Sequence, residues 1–374
     1  MFTMKKHFIK GVLPLLLVLL SSCGAQTAAI GDYFDETIPF HEGFKVLQLT
    51  DLHWSVNTDV SVQTAYSTAV VKKVNPDFIM ITGDCLLGTT VETAKSFVSM
   101  VESWDVPFGV SWGNHDRQGS YSPAWLSGLF ANAKNSHYRE LNDSVYGRSN
   151  YVISLIDPST GKASWNIYAI DSNSYRENSS GIYYDYDVIH DDQIAWFNQA
   201  VDYSSKKNGK AIPGLAYFHI PLFQWSYAYL ENQKGLMGEM LEKGTNSFPA
   251  AKLKEKFKAA GLDMKSYPGY KDSGFFDAGV KGNIRGFFCG HDHSDDWGTK
   301  YTDAAGTAYI GYGVKGSKEL YYTHGSDTRG YMRDYDIIGG SLVTLHLDST
   351  FDLTHYYVQM DAAYTTYTEE VKGL

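Results

Sequence analysis

Five short clusters of His, Asp and Asn each directly follow an apolar run. They are Asp51-Leu52-His53, Gly83-Asp84, Gly113-Asn114-His115-Asp116, His219 within Phe218-His219-Ile220-Pro221, and Gly290-His291-Asp292-His293. Imidazole nitrogens suit Zn, Fe or Mn, and carboxylates suit harder ions. Two such ions about 3.5–4 Å apart can bind a phosphate ester, lower the pKa of a water and neutralise charge on the displaced oxygen. That arrangement needs roughly six to eight nitrogen and oxygen donors, one of them a shared carboxylate. Taken alone, His219 would read as a packed or surface histidine and Asn114 as a turn residue. In the company of the other clusters both read as donors.

Such donors need rigid elements behind them. Phe44 to Thr50 reads as a strand ending at Asp51, Asp77 to Thr82 as a second ending at Gly83-Asp84, and Pro107 to Trp112 as a third ending at Gly113. Helical spacing fills Ser61 to Val74, up to Asn75-Pro76, and Val91 to Trp104. The first 116 residues therefore predict a β–α–β–α–β unit with a cluster at the end of each strand, where open α/β sheets place ligands. Tyr151–Ile156 and Ser164–Ile170 alternate like a hairpin, and residues 190–203 look helical. Lys210–Phe218 and Asn283–Cys289 are strands leading to His219 and to Gly290-His291. Helical stretches are expected near 227–242 and 249–260. Ala308–Gly311, Leu342–Leu347 and Leu353–Val358 alternate like antiparallel strands of a second sheet, and the Tyr-rich stretch 314–336 reads as a surface loop or pocket wall.

The series DxH, GD, GNHD, an isolated His after a strand and GHxH, in this order, resembles the calcineurin-like metallophosphoesterase superfamily over about residues 40–360. FHIPL, GHDHSDDW and TAYIGYG further resemble its single-domain, purple-acid-phosphatase-like branch. The resemblance implies an α/β, four-layer fold with two mixed sheets in a sandwich flanked by helices. It implies two divalent or trivalent ions (Fe, Zn or Mn), with Asp51, His53 and His293 on the first, Asn114, His219 and His291 on the second, and Asp84 between them. It implies that His115 meets the substrate as general acid, with a metal-activated water attacking phosphorus and no covalent enzyme intermediate. Purple acid phosphatases carry GDxxY and the Ser/Thr phosphatases GDxxD; here the last position is Leu87. A tyrosinate-to-iron site is therefore not expected, and the partner that would orient His115 is missing from its usual place.

Other residues have more ordinary readings. Asp116 is expected to orient its loop through backbone hydrogen bonds, and Asp292 to point away from the ions. His190, His324 and His355 are expected to be structural. Arg117 is a candidate for substrate phosphate, a salt bridge being the alternative. Tyr321, Tyr322 and Tyr331 either line the pocket or simply pack. Cys85 and Cys289 each adjoin a cluster and are expected to be small buried thiols rather than a disulfide.

Charged residues make up 20% of the chain and hydrophobic ones 43%, a balance that allows a sizeable core. Lys5, Lys6 and Lys10, the apolar stretch from Gly11 to Leu20, and Leu20-Ser21-Ser22-Cys23 resemble a bacterial lipoprotein signal with lipid attachment at Cys23. Residues 1–22 are then a signal peptide, 23–42 a tether, 43–360 the phosphoesterase domain and 361–374 a C-terminal tail. The expected location is membrane-anchored outside the cytoplasm, periplasmic or at the cell surface. Without residues 1–22 the chain holds 29 basic against 42 acidic residues, which argues against a long nucleic acid as partner. The expected substrate is a small phosphate ester, cleaved by a phosphomonoesterase. A phosphodiesterase acting on nucleotides or lipid head groups, and an inactive surface binding lipoprotein, are the alternatives. The oligomeric state is left open.

Overall fold

The computed structural model describes residues 36–141, 144–177, 183–230, 272–293, 295–317, 337–359 and 366–374. After a short strand β1 (Thr37–Pro39) come β2 (Phe44–Leu49), α1 (Val60–Val74), β3 (Phe78–Thr82), α2 (Val91–Ser103) and β4 (Phe108–Ser111). β2, β3 and β4 pair in parallel. Asp59 caps α1 by accepting from the backbone N–H groups of Ser61 and Val62, and Asn75 closes it at φ 47° ahead of Pro76. Thr90 caps α2 in the same way, through the N–H of Thr93.

The chain continues with α3 (Pro123–Ala131), the antiparallel pair β5 (Tyr151–Asp157) and β6 (Lys162–Ala169), and a small hairpin of β7 (Tyr175–Glu177) and β8 (Tyr183–Tyr186). Then come α4 (Asp191–Asn208), β9 (Gly214–Tyr217), α5 (Phe223–Leu230), α6 (Phe275–Lys281) and β10 (Ile284–Cys289). Last are β11 (Gly298–Asp303), β12 (Gly306–Tyr312), β13 (Ile337–Leu345), β14 (Phe351–Gln359) and β15 (Thr366–Val371). One sheet has seven strands in the order β1-β5-β6-β9-β10-β12-β11, the other six in the order β15-β14-β13-β2-β3-β4.

Strand alternation sorts the side chains into layers. Leu215, Tyr217 and Phe288 enter the core shared by the two sheets. Their neighbours Ala216, Phe218 and Phe287 turn to the other face, under Trp196 and Phe197 of α4 and Phe275 and Phe276 of α6. Phe351 of β14 meets Phe288 and Tyr309 across the sandwich at 5.9 and 6.0 Å between ring centres. α1 packs on β13 and β14, completing the expected four layers. A buried polar pin joins the sheets below the site. Gln48 Nε2 donates to Thr82 Oγ1 (2.8 Å) and to the Cys289 carbonyl (2.9 Å), tying β2 and β3 to β10. Gly313 leaves room for it, since a Cβ there would lie 2.7 Å from Gln48 Cδ.

Some expectations are corrected. The three tail runs do not share a sheet. β12 lies parallel beside β10 in the seven-stranded sheet, whereas β13 pairs antiparallel with β2 and extends the first sheet. Alternation reports which face a side chain takes, not which strand it borders. The strand before His219 is shorter than Lys210–Phe218, beginning after Pro213. β1 lies within the stretch expected as tether and β15 within the expected tail, each an edge strand. α3, opened by a Ser122 cap and Pro123, and the β7–β8 hairpin were not anticipated. Cys85 and Cys289 are buried free thiols. Cys23 and the signal peptide, most of the helices expected at 227–242 and 249–260, and Tyr321, Tyr322, His324 and Tyr331 lie outside the described residues. Among the described residues no helix is long and apolar enough to cross a membrane.

One ion-pair cluster ties the loop before β2 to the β13–β14 turn. His346 lies between Glu42 (Nδ1 to Oε1, 2.6 Å) and Asp352 (Nε2 to Oδ2, 3.2 Å). The Glu42 hydrogen bond raises its pKa above the usual 6.5. A raised histidine stabilises the fold fully below the unfolded pKa, and that contribution is lost as pH rises through the folded one. His346→Gln is therefore expected to lower the urea midpoint more at about pH 5.5 than at about pH 9, measured against the wild type at each pH.

Candidate metal centre

β2, β3, β4, β9 and β10 all deliver their carboxyl ends to one rim, three from one sheet and two from the other. Each exit is abrupt. Asp51, His53, Asp84 and His291 adopt positive φ of 54°, 45°, 47° and 78°. For non-glycine residues this costs about 1–3 kcal/mol each. The turn swings each side chain back over the strand ends. Gly83 (φ 81°) and Gly113 lie against each other; a Cβ on Gly113 would lie 2.2 Å from the Asp84 amide nitrogen.

Two donor sets form there. Asp51, His53 and His293 converge on one point, and Asp84, His219 and His291 on another, with the donor atoms of each set within 4.8 Å of one another. Asp84 Oδ2 faces both, 3.1 Å from His219 Nε2 and 3.6 Å from His53 Nε2. In the first set His293 Nε2 is 3.2 Å from Asp51 Oδ1 and 3.0 Å from His53 Nε2. In the second, His291 Nδ1 is 3.3 Å from His219 Nε2.

Surrounding hydrogen bonds fix which atom of each donor is free. Thr50 Oγ1 and the His291 N–H donate to Asp51 Oδ2 at 2.7 and 2.9 Å, leaving Oδ1 toward the histidines. The His115 N–H donates to Asp84 Oδ1 (2.8 Å), leaving Oδ2 between the sets. His219 Nδ1 donates to the Thr82 carbonyl (2.8 Å), so in the neutral ring Nε2 carries a lone pair aimed at the Asp84 carboxylate. Asn114 Nδ2 donates to the Tyr175 hydroxyl (3.0 Å), and its Oδ1 is buried with no hydrogen-bond partner. An orphaned amide oxygen and lone pairs turned on a carboxylate fit cations.

The electrostatics make the same demand. Burial opposes charge on Asp51, but hydrogen bonds from His293 and His53 hold its carboxyl well below the usual range. Burial also opposes charge on Asp84, and the charge and hydrogen bond of His219, together with the charges of His115 and His53, outweigh it and hold its carboxyl low. Burial would lower His219, yet the charge and hydrogen bond of Asp84 push it up to about 10. Burial and the His219 charge push His291 down to about 3. The protein alone answers the buried carboxylates with a proton on His219; metal ions would supply that charge in the proton's place.

Asp116 sits below the loop. It accepts from the Leu86 N–H (Oδ1, 3.0 Å) and the Gly113 N–H (Oδ2, 2.7 Å), stitching the loops after β3 and β4. Burial and then the Asp84 charge push it up to about 7. Asp292 belongs to neither donor set and accepts from Tyr312 OH at 3.0 Å. His190 pairs with Asp187 (3.0 Å), and buried His355 lies 3.2 Å from Tyr357 OH. Of the two readings of Arg117 the structure shows a salt bridge: its Nη2 donates to buried Asp171 at 2.6 Å, and its guanidinium lies over the Trp112 ring. Arg117 thereby braces the loop that carries His115.

His115 remains half-buried at the rim, with Nε2 4.0 Å from Asp84 Oδ2. Its Nδ1 lies 2.7 Å from Gln118 Oε1, and the Gln118 N–H donates to the His115 carbonyl at 3.0 Å. This tight turn supplies a support that Leu87 does not. Gln118, Tyr175 and Tyr186 escaped the sequence reading. Only the three-residue spacing of Gln118 from His115 and the clustering of tyrosines at 183–186 hinted at them.

The profile of the calcineurin-like phosphoesterases matches residues 44–295, from the start of β2 to just beyond the last histidine cluster. The chain belongs to this family. It is a metallophosphoesterase by fold and by donor set. It is 25% identical over 360 residues to "Probable inactive purple acid phosphatase 14" of Arabidopsis thaliana, covering 84% of this chain and 83% of that one. It is likewise 25% identical over 315 residues to "Probable inactive purple acid phosphatase 29" of the same plant, covering 73% and 74%. "Phosphatase DCR2" of Saccharomyces cerevisiae is 24% identical over 336 residues, 79% of this chain and 51% of that protein.

The shared position of Asp84 separates two substitutions. Asp84→Ala is expected to lose tight binding of both ions, whereas His53→Ala keeps the ion held by Asn114, His219 and His291. Metal content after gel filtration measures this; two tight ions in Asp84→Ala would refute the placement.

Proposed function

We propose that the protein is an active phosphoesterase that uses two metal ions, Fe, Zn or Mn, to hydrolyse small phosphate esters, and monoesters foremost. The observation that carries this is Asp84, whose Oδ2 faces both donor sets while its Oδ1 holds the backbone of His115. Two of the relatives bear the word inactive in their names. What supports activity here is that the donors and His115 are all present and converge. Bound ions would neutralise phosphate charge and lower the pKa of a water at the site. The chain's own residues do the rest. Asp51, Asp84 and Asn114 are immobilised by hydrogen bonds, so the rim is preorganised. Gln118 Oε1 accepts Nδ1–H of His115, which leaves Nε2 to deliver a proton to the departing alkoxide. Residues 1–23 support the further proposal of export and lipid anchoring at Cys23. Incorporation of labelled fatty acid, lost in Cys23→Ala, tests that part.

The activity is tested with Mn²⁺-loaded protein on an aryl phosphate and a bis-aryl phosphate diester. Hydrolysis of the monoester is expected to exceed that of the diester, and His115→Ala to lower kcat on an alkyl phosphate, whose leaving oxygen needs a proton, by about 10²–10⁴-fold with metal content unchanged. Hydrolysis of neither substrate would overturn the proposal, as would an unaffected His115→Ala. A diester preference would move the assignment to a phosphodiesterase.

Gln118 gives a finer expectation. Gln118→Leu should slow alkyl phosphates, which need a proton on the leaving oxygen, by about 10-fold or more, and barely slow nitrophenyl phosphate. Gln118→Glu, which keeps an acceptor for Nδ1–H, should restore the alkyl rate. Equal losses on both substrates would remove the link between Gln118 and proton transfer.

A further inference from the structure

The β7–β8 hairpin lies in neither main sheet, yet it reaches the metal centre at several points. Tyr175 and Tyr186 are directly opposed across the hairpin, and their rings stack with centres 5.1 Å apart. The Tyr175 hydroxyl accepts from Asn114 Nδ2 at 3.0 Å. The preceding residue, Ser174, donates through Oγ to the Asn114 carbonyl at 3.2 Å. Asn114 is thus gripped by side chain and backbone together. The Tyr186 ring meets the edge of His291, with centres 4.6 Å apart and planes at 85°. The return strand closes the unit, because the Asp187 N–H donates to the Ser174 carbonyl at 2.8 Å. The three contacts that leave the hairpin unit fall on Asn114 and His291, which the two-ion reading assigns to the same ion.

Asn114 needs such help. A carboxamide is a weaker donor than a carboxylate or an imidazole, and it presents oxygen or nitrogen with nearly equal ease. Only the oxygen can ligate a cation, since the amide nitrogen carries two hydrogens and no free lone pair. Here Oδ1 is buried and without a hydrogen-bond partner, and Nδ2 is taken up by Tyr175.

We propose that the β7–β8 hairpin is a clamp that sets the affinity of the second ion, with Tyr175 as the positioning residue that fixes Asn114 with its oxygen toward the metal. This rests on the two-ion reading above. The hydroxyl of Tyr175 orients Asn114, and Tyr186 confines His291 while bracing the Tyr175 ring. Outer partners of this kind change metal affinity by about 10–100-fold when removed. Loss of the Tyr175 hydroxyl therefore weakens the second ion and leaves the first.

Tyr175→Phe tests this, because it deletes the hydroxyl and keeps the stack. The full chain is titrated with Mn²⁺ by calorimetry, and electron paramagnetic resonance distinguishes a spin-coupled pair from an isolated ion. The wild type is expected to bind two Mn²⁺ and to show the coupled spectrum. Tyr175→Phe should bind one ion within about twofold of wild type and the other about 10–100-fold more weakly. At one equivalent it should show the isolated six-line signal, and the coupled spectrum should return in excess Mn²⁺. Unchanged affinity for both ions, or equal weakening of both, would overturn the clamp alone. Fewer than two Mn²⁺ in the wild type would overturn the two-ion reading and the clamp with it.

Discussion

Two buried carboxylates and four imidazoles meet at one rim between two sheets. That confrontation governs the rest of the structure. Removing an ion from water costs several kcal/mol even after relaxation, and only close opposite charge returns it. Asp51 and Asp84 are 2% and 1% exposed, so they depend on what the opposite side brings. His219 comes from β9 and His291 and His293 from β10, in the seven-stranded sheet, whereas Asp51, His53 and Asp84 come from the six-stranded one. Each donor set therefore draws on both sheets. Ions at this place would join the halves of the sandwich as well as perform chemistry, and the Gln48 pin beneath them keeps the halves in register.

The centre is assembled against local preference. Four of its donors accept left-handed backbone, and Asp116 is buried beside Asp84 with like charge. These costs are carried by parallel strands whose ends are rigid and by loops stitched to each other through Asp116, Arg117 and Asp171. The same hydrogen bonds that assign one oxygen of each carboxylate to the protein leave the other for the ions. His115, braced by Gln118, stands at the open side, where the proposed function has it meet the substrate.

Much of this was legible in the sequence because short-range chemistry announces it. A His, Asp or Asn directly after an apolar run marks a strand end, and five in order leave few alternatives. The β–α–β–α–β start, the buried thiols, the absence of Asp292 from the donor sets and the loop-orienting role of Asp116 follow from local pattern. Long-range pairing does not. Nothing within residues 306–312 or 337–345 says which sheet receives them, and both alternate alike. Arg117 could equally have faced solvent or substrate; its fate depends on Asp171, a residue 54 positions away. Tyr175 and Tyr186 were hidden for the same reason, since their partners Asn114 and His291 lie far off in the chain.

The most direct test of the account is where metal binds. Crystals grown with Mn²⁺ and measured near an absorption edge of manganese locate each ion by anomalous scattering. The account predicts two peaks about 3.5–4 Å apart with the Asp84 carboxylate between them. Asp51, His53 and His293 should surround one, and Asn114, His219 and His291 the other. A single peak, or two peaks that do not flank Asp84, would contradict it.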